Sequence, residues 1–177
     1  DSGINLMYGG IDSDSIVTRA TEPNGLMTRL VLRMSSEVAC VVVPWELSLP
    51  VEERKLMVHV RQDVLPESAG YPVEGAIRDI KRNIVHLHER LLGETVDIDG
   101  PEVQRAYDLF FATWKEGNTA PEGGAAPNAK GMAWPCALDP RTGQNVPDPY
   151  RRDANYIGRA WTAVVTYLLG DERFLYQ

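Results

Sequence analysis

Apolar residues in this chain recur at three- and four-residue intervals over several long stretches. No window alternates apolar and polar residues long enough to make a strand. That periodicity predicts an all-α fold. The first helix starts in Thr21-Glu-Pro-Asn-Gly25, where Asn24 reads as the N-cap. Its apolar face is Met27, Leu30, Val31, Met34, Val38, Val41 and Val42, and Pro44 reads as its end, because proline removes a donor and clashes with the preceding turn. A shorter helix is expected over Ser48–His59, capped by Ser48, with Pro50, Glu52 and Glu53 in its first turn.

Residues 62–72 read as a loop around Pro66, Gly70 and Pro72. The next helix runs from Val73 to Leu92 and stops at Gly93, with Ile77, Ile80, Ile84, Leu87 and Leu91 as its stripe. Asp99-Gly-Pro-Glu102 opens a further helix, whose aromatic face is Tyr107, Phe110, Phe111 and Trp114 and whose stop is Gly117. Asp153 caps the last one, with Ile157, Trp161, Val164, Val165 and Leu168 inward; Gly170 interrupts it, and 171–176 add one more turn. The expected architecture is an irregular bundle of four main helices plus short ones. It forms a single domain over 1–177, with an irregular arm at 1–23 and a long Gly/Pro-rich loop at 118–152.

Composition removes several functions. The chain has 177 residues, 44% of them hydrophobic, and a net charge of −7. That sign repels phosphate backbones, and no basic patch offsets it, so nucleic-acid binding is not expected. No apolar run approaches the roughly 20 residues of a membrane span. The sequence begins at Asp1, which reads as a mature product, a processed fragment or an excised piece. Nucleophile elbows, Ser-x-x-Lys, and the Rossmann and Walker glycine patterns are missing. So is the Cys-x-x-Cys-His haem motif.

A few residues are candidates for chemistry. Asp12 and Asp14 alternate with serines and offer hard oxygens to Ca2+, although the sixth and twelfth positions, Val17 and Pro23, do not fit an EF-hand; an Asx-rich turn is the simpler account. His86 and His88 are two apart on a helix and point to different faces, His88 reading as a hydrogen-bonded core residue; His59 is isolated. Glu37, if buried, has the makings of a general acid, but an ion pair with Arg29, Arg33, Arg159 or Arg173 is the simpler expectation. Trp114 and Trp161 sit at core spacing; Trp45 and Trp134 are the candidates for an exposed sugar- or peptide-binding groove. Cys40 and Cys136 are either two buried thiols or one disulfide closing a large loop, and spacing alone leaves both open.

The motifs Tyr8-Gly-Gly-Ile-Asp-Ser-Asp14, Glu22-Pro-Asn-Gly25, Met34-Ser-Ser-Glu-Val-Ala-Cys40, Asn83-Ile-Val-His-Leu-His88, Trp134-Pro-Cys136, Arg159-Ala-Trp161 and Tyr167-Leu-Leu-Gly-Asp171 resemble a family. It comprises the C-terminal regions of large uncharacterised exported proteins from planctomycete-like and myxobacterium-like bacteria, often with c-type cytochrome segments upstream. The resemblance implies a periplasmic or cell-surface setting and favours the Cys40–Cys136 disulfide. It also implies electron-transfer company, with any haem on a partner or a missing segment, and it supplies no catalytic residue. The expected function is a non-catalytic scaffold or docking module for a protein partner or the remainder of a larger polypeptide. The arm 1–23 and the loop 118–152 are its expected contact surfaces. The alternatives are an enzyme of unrecognised type, with or without a metal, built on Asp12, Asp14, Glu37 and a histidine, and a carbohydrate- or peptide-binding domain.

Overall fold

A computed structural model describes residues 25–61, 65–66, 73–119, 132 and 134–171. Within them the fold is all-α. The main helices are α1 (Gly25–Ser48), α2 (Val73–Leu92), α3 (Pro101–Thr119) and α4 (Ile157–Leu169). Short 3-10 turns cover Val51–Glu53 and Trp134–Ala137. Among the described residues β pairing is limited to one isolated bridge, Leu138 with Asn145. The arm 1–23, part of the 62–72 loop, residues 120–131 and the turn expected beyond 171 lie outside the described residues.

The bundle is assembled around α4, which packs on α1, α3 and α2. Of its 13 residues, eight are buried, so nearly its whole circumference is apolar. Phe110 of α3 and Trp161 of α4 meet with ring centroids 4.9 Å apart at the centre of the core. Around them lie Ile80, Ile84 and Leu87 of α2, and Val43 and Leu47 of α1. Gly93 has φ +63°, the left-handed conformation that glycine adopts without strain, and ends α2 as expected.

The structure corrects three expectations for α1 and the segment after it. First, α1 runs through Pro44 to Ser48. An internal proline costs about 3 kcal/mol, whereas burying one valine or leucine contributes about 1.5–3 kcal/mol. Val43 and Leu47 are both fully buried beside it, so packing carries the helix past the proline. Second, α1 buries a different line. Met27, Val31, Ser35, Ala39, Val43 and Leu47 face inward at strict four-residue spacing, while Met34 and Val38 are about half exposed at 45% and 50%. Third, there is no helix over Ser48–His59. Only the three-residue turn Val51–Glu53 forms, because the backbone groups that such a helix would need are bonded to side chains instead, as described below.

Gly117 does not stop α3, which continues to Thr119. Its role is close approach: a Cβ there would collide with the Tyr156 ring. Tyr156 has φ +62°, immediately before α4, and carries the Arg159 guanidinium 4.1 Å from its ring centroid. The long loop is tied down by a disulfide between Cys40 and Cys136, whose Cα atoms are 4.7 Å apart and 96 residues apart in sequence. Spacing alone leaves that pairing open, and the resemblance favours it.

Two outcomes follow from this packing. Ala is a better helix former than Gly by about 1 kcal/mol, yet Gly117→Ala is expected to destabilise the fold by about 1–3 kcal/mol, because overpacking outweighs propensity. Urea unfolding measures the sign, and a stabilised variant would show that Tyr156 moves aside freely. Replacing Cys40 and Cys136 together by Ala removes the cross-link and is expected to cost about 4–5 kcal/mol, the chain-entropy value for a loop of this length. A loss under about 1 kcal/mol would show that the bridge does little to hold the fold.

Candidate functional site

The loop that follows α1 is held by two charged side chains with complementary tasks. Glu46 is buried at 3% exposure. Its carboxylate accepts hydrogen bonds from the backbone N–H groups of Lys55 (3.0 and 2.9 Å), Leu56 (2.8 Å) and Met57 (3.2 Å). Successive amides of this kind form a concave anion cradle. Arg54 does the reverse: it donates to the carbonyls of Leu47 (2.8 Å), Leu49 (2.9 Å) and Val60 (2.8 Å), with a longer contact to Met57 at 3.5 Å. Donors and acceptors that a helix would have paired internally are thus satisfied from the side.

α2 closes the loop from the other face. Buried Asn83 accepts the His59 N–H through Oδ1 at 3.1 Å and donates through Nδ2 to the Met57 sulfur at 3.8 Å. The His86 Nε2 lies 2.8 Å from the Lys55 carbonyl, and the His59 and His86 rings meet edge to face at 6.1 Å. His59 is therefore not isolated. Burial, then the neighbouring His86 and Arg82 charges, hold its pKa below the usual histidine value. Beside it is a recess of about 10 Å³, which has room for about one water molecule.

A second buried carboxylate starts α4. Asp153 is 1% exposed. It accepts from Gly158 N–H (2.7 Å), Arg159 N–H (3.0 Å) and Arg159 Nε (3.1 Å). It therefore caps the helix from three residues before the cap position, which Tyr156 occupies. A Cβ on Gly158 would come within 3.1 Å of the Asp153 carboxylate, so glycine is what lets the acid close in. Burial pushes the Asp153 carboxyl above its ordinary value, against the pull of those three bonds.

Between these two assemblies lies an open groove of about 500 Å³. One wall is Val51, Arg54, Val60 and Arg61; the other is Pro149, Tyr150, Ala154 and Asn155.

The residues singled out in the sequence separate in space. Asp12 and Asp14 lie outside the described residues. Glu37 is in solvent, 63% exposed, and pairs with Arg33 one turn earlier at 2.9 Å. It is an ion pair as expected, though within one helix, and not a buried acid. His86 and His88 do face apart. His88 is buried, but neither ring nitrogen finds a hydrogen-bond partner among the described residues; Nδ1 is 3.6 Å from Glu94 Oε2. Trp114 and Trp161 are in the core. Trp45 is half-buried beneath the Arg141 guanidinium, 5.1 Å from its ring centroid, and presents no open platform; the Trp134 side chain lies outside the description. Among the described residues no group of three or more His, Cys, Asp or Glu is placed to hold a metal ion. No helix among them is long and apolar enough to cross a membrane.

Glu46, Arg54 and Asn83 escaped the sequence reading. Glu46 interrupts an apolar run, and Asn83 falls at three- and four-residue spacing between Ile80 and Leu87 on the buried stripe, which is the available signal for a buried polar group that must find partners. Arg54 carries no such mark. Compared with protein-family models, curated proteins and solved structures, the chain finds no match.

The acid response has a defined sign. The Arg141 backbone N–H holds Asp139 below the usual carboxylate value, and the hydrogen bond from Arg151 does the same for Asp148. Their stabilisation is present above about pH 4 and is lost as pH falls through the lowered values. Asp153 runs oppositely: its contribution is complete below about pH 3.9 and is lost as pH rises through its raised folded value. Asp153→Asn is expected to lower stability by about 1–3 kcal/mol near neutrality. The gap between wild type and variant should widen from about pH 6 to about pH 3. Urea unfolding at both pH values checks this; a narrowing gap would show that the hydrogen bonds outweigh burial.

Proposed function

We propose that this chain is a non-catalytic, exported helical module that docks onto a protein partner or the remainder of a larger polypeptide, in a cytochrome-bearing assembly. The observation that carries the reading is an apolar ridge on α1. Leu26, Met34 and Val38 are 53%, 45% and 50% exposed, and half-buried Leu30 completes the four-residue spacing. Singly exposed apolar residues are ordinary, but a line of them along one helix is how an amphipathic helix addresses a groove. The Arg33–Glu37 ion pair flanks the ridge and supplies a polar margin. The disulfide supports the exported setting, since such bonds persist in oxidising compartments. The cytochrome context rests on the family resemblance. Of the contact surfaces expected from sequence, 1–23 and 120–131 lie outside the described residues, and the 136–152 segment is largely exposed.

A photo-crosslinking residue at Val38, with one at exposed Glu52 as control, tests the docking in cells that make the protein naturally. Position 38 should give one defined product in the exported fraction, lost when Met34 is changed to Glu, and position 52 should not. Equal labelling from both positions, recovery in the cytosol, or substrate turnover by the purified chain would each overturn the proposal.

A further inference from the structure

We infer that the 137–146 hairpin is a redox-operated latch: a dithiol that reduces the Cys40–Cys136 bond releases it and lengthens the apolar ridge of α1 by Val41 and Trp45. The use of the latch rests on the docking reading above; its opening does not. Leu30, Met34, Val38, Val41 and Trp45 follow one another in steps of four, four, three and four residues, so they form one stripe along α1. Met34 and Val38 are 45% and 50% exposed, whereas Val41 and Trp45 are half-buried. The change falls where the 134–137 turn packs on α1 and the Arg141 guanidinium lies 5.1 Å from the Trp45 ring centroid. The disulfide stands at that same step, at Cys40.

The hairpin can move as a unit, because its backbone hydrogen bonds close within it. Val146 N–H donates to the Ala137 carbonyl at 2.7 Å, and the Asp139 N–H donates to the Gln144 carbonyl at 2.8 Å. Beside the disulfide, it is held by the Arg141 stack and by the buried side chains of Ala137 and Val146, which stand outside the main core cluster. Closure carries a cost at Trp45, whose indole N–H is buried with no hydrogen-bond partner among the described residues. Opening offers that donor water or an acceptor on a partner. Neither cysteine is fully buried, so a thiolate can reach the bridge in the folded chain. The step is an exchange. One thiolate of the dithiol attacks a sulfur of the bridge, and the second thiol resolves the mixed disulfide. Two electrons and two protons pass to Cys40 and Cys136, and the dithiol leaves as a disulfide. In an oxidising compartment the latch stays closed until such a dithiol arrives.

The test uses the purified intact chain with no partner, so its outcome is independent of the docking reading. Dithiothreitol is the dithiol. NMR follows the backbone amides and the indole N–H groups, with Trp45→Phe assigning the Trp45 signal. Reduction should speed water exchange of the Asp139 and Val146 amides and of the Trp45 indole N–H by about tenfold or more. The chemical shifts of Leu87, Phe110 and Val164, and of the Trp114 indole N–H, should stay in place, because the helical core remains folded. The rate of reduction should rise in proportion to dithiothreitol and exceed the rate of global unfolding. Reoxidation should restore the starting spectrum. A reduction rate set by unfolding and independent of dithiothreitol, loss of the core shifts, unchanged exchange in the hairpin, or a Trp45 indole that stays shielded after reduction would each overturn the inference.

Discussion

A single buried carboxylate, that of Asp153, fixes the start of the helix on which every other helix packs. Three hydrogen bonds converge on it, two from the first turn of α4 and one from the Arg159 side chain. A shortening of that approach depends on Gly158, and the turn before it depends on Tyr156 in a left-handed conformation. Tyr156 in turn lies against Gly117 of α3. Four residues thus set where α4 begins and how closely α3 approaches it. The apolar burial along α4 is worth far more in sum, but it is non-directional; the polar corner supplies the register.

The same division of labour recurs at the other end of α1. Burial of Val43, Leu47 and Met57 holds the 49–61 segment near the core, while Glu46 and Arg54 dictate its path. One collects amides and the other collects carbonyls, so a stretch with helix-like punctuation is drawn into an irregular loop. One wall of the groove is shaped by this side chain-to-backbone bonding and the other by backbone turns over 147–156.

This explains what was legible in the sequence. The periodic segments of α2, α3 and α4 gave their helices directly, because few alternative faces were apolar enough to compete. α1 was legible as a helix but not in its orientation: Leu30, Met34 and Val38 are as apolar as Met27 and Val31, and the buried line passes through the small residues Ser35 and Ala39. Hydropathy cannot favour a serine over a methionine for burial; close helix approach can. The loop after α1 was misread because Pro50, Glu52 and Glu53 mimic a helix start, while the decisive acid, Glu46, lies before it in sequence. Asp153 was legible as a cap because short acids before an apolar run have few other uses. The candidate sites fared less well, since the groove joins residues about a hundred positions apart that share no motif.

The bond between Cys40 and Cys136 makes most of the molecule a covalent ring with two tails. A backbone cut anywhere inside that ring opens it without releasing a fragment. α2 and α3 both lie within it, and so does the whole of residues 120–131. A protease that cuts the backbone between residues 40 and 136 converts one chain into two that remain a single molecule. Persistence after a backbone cut is thus a property that the ring confers in addition to stability.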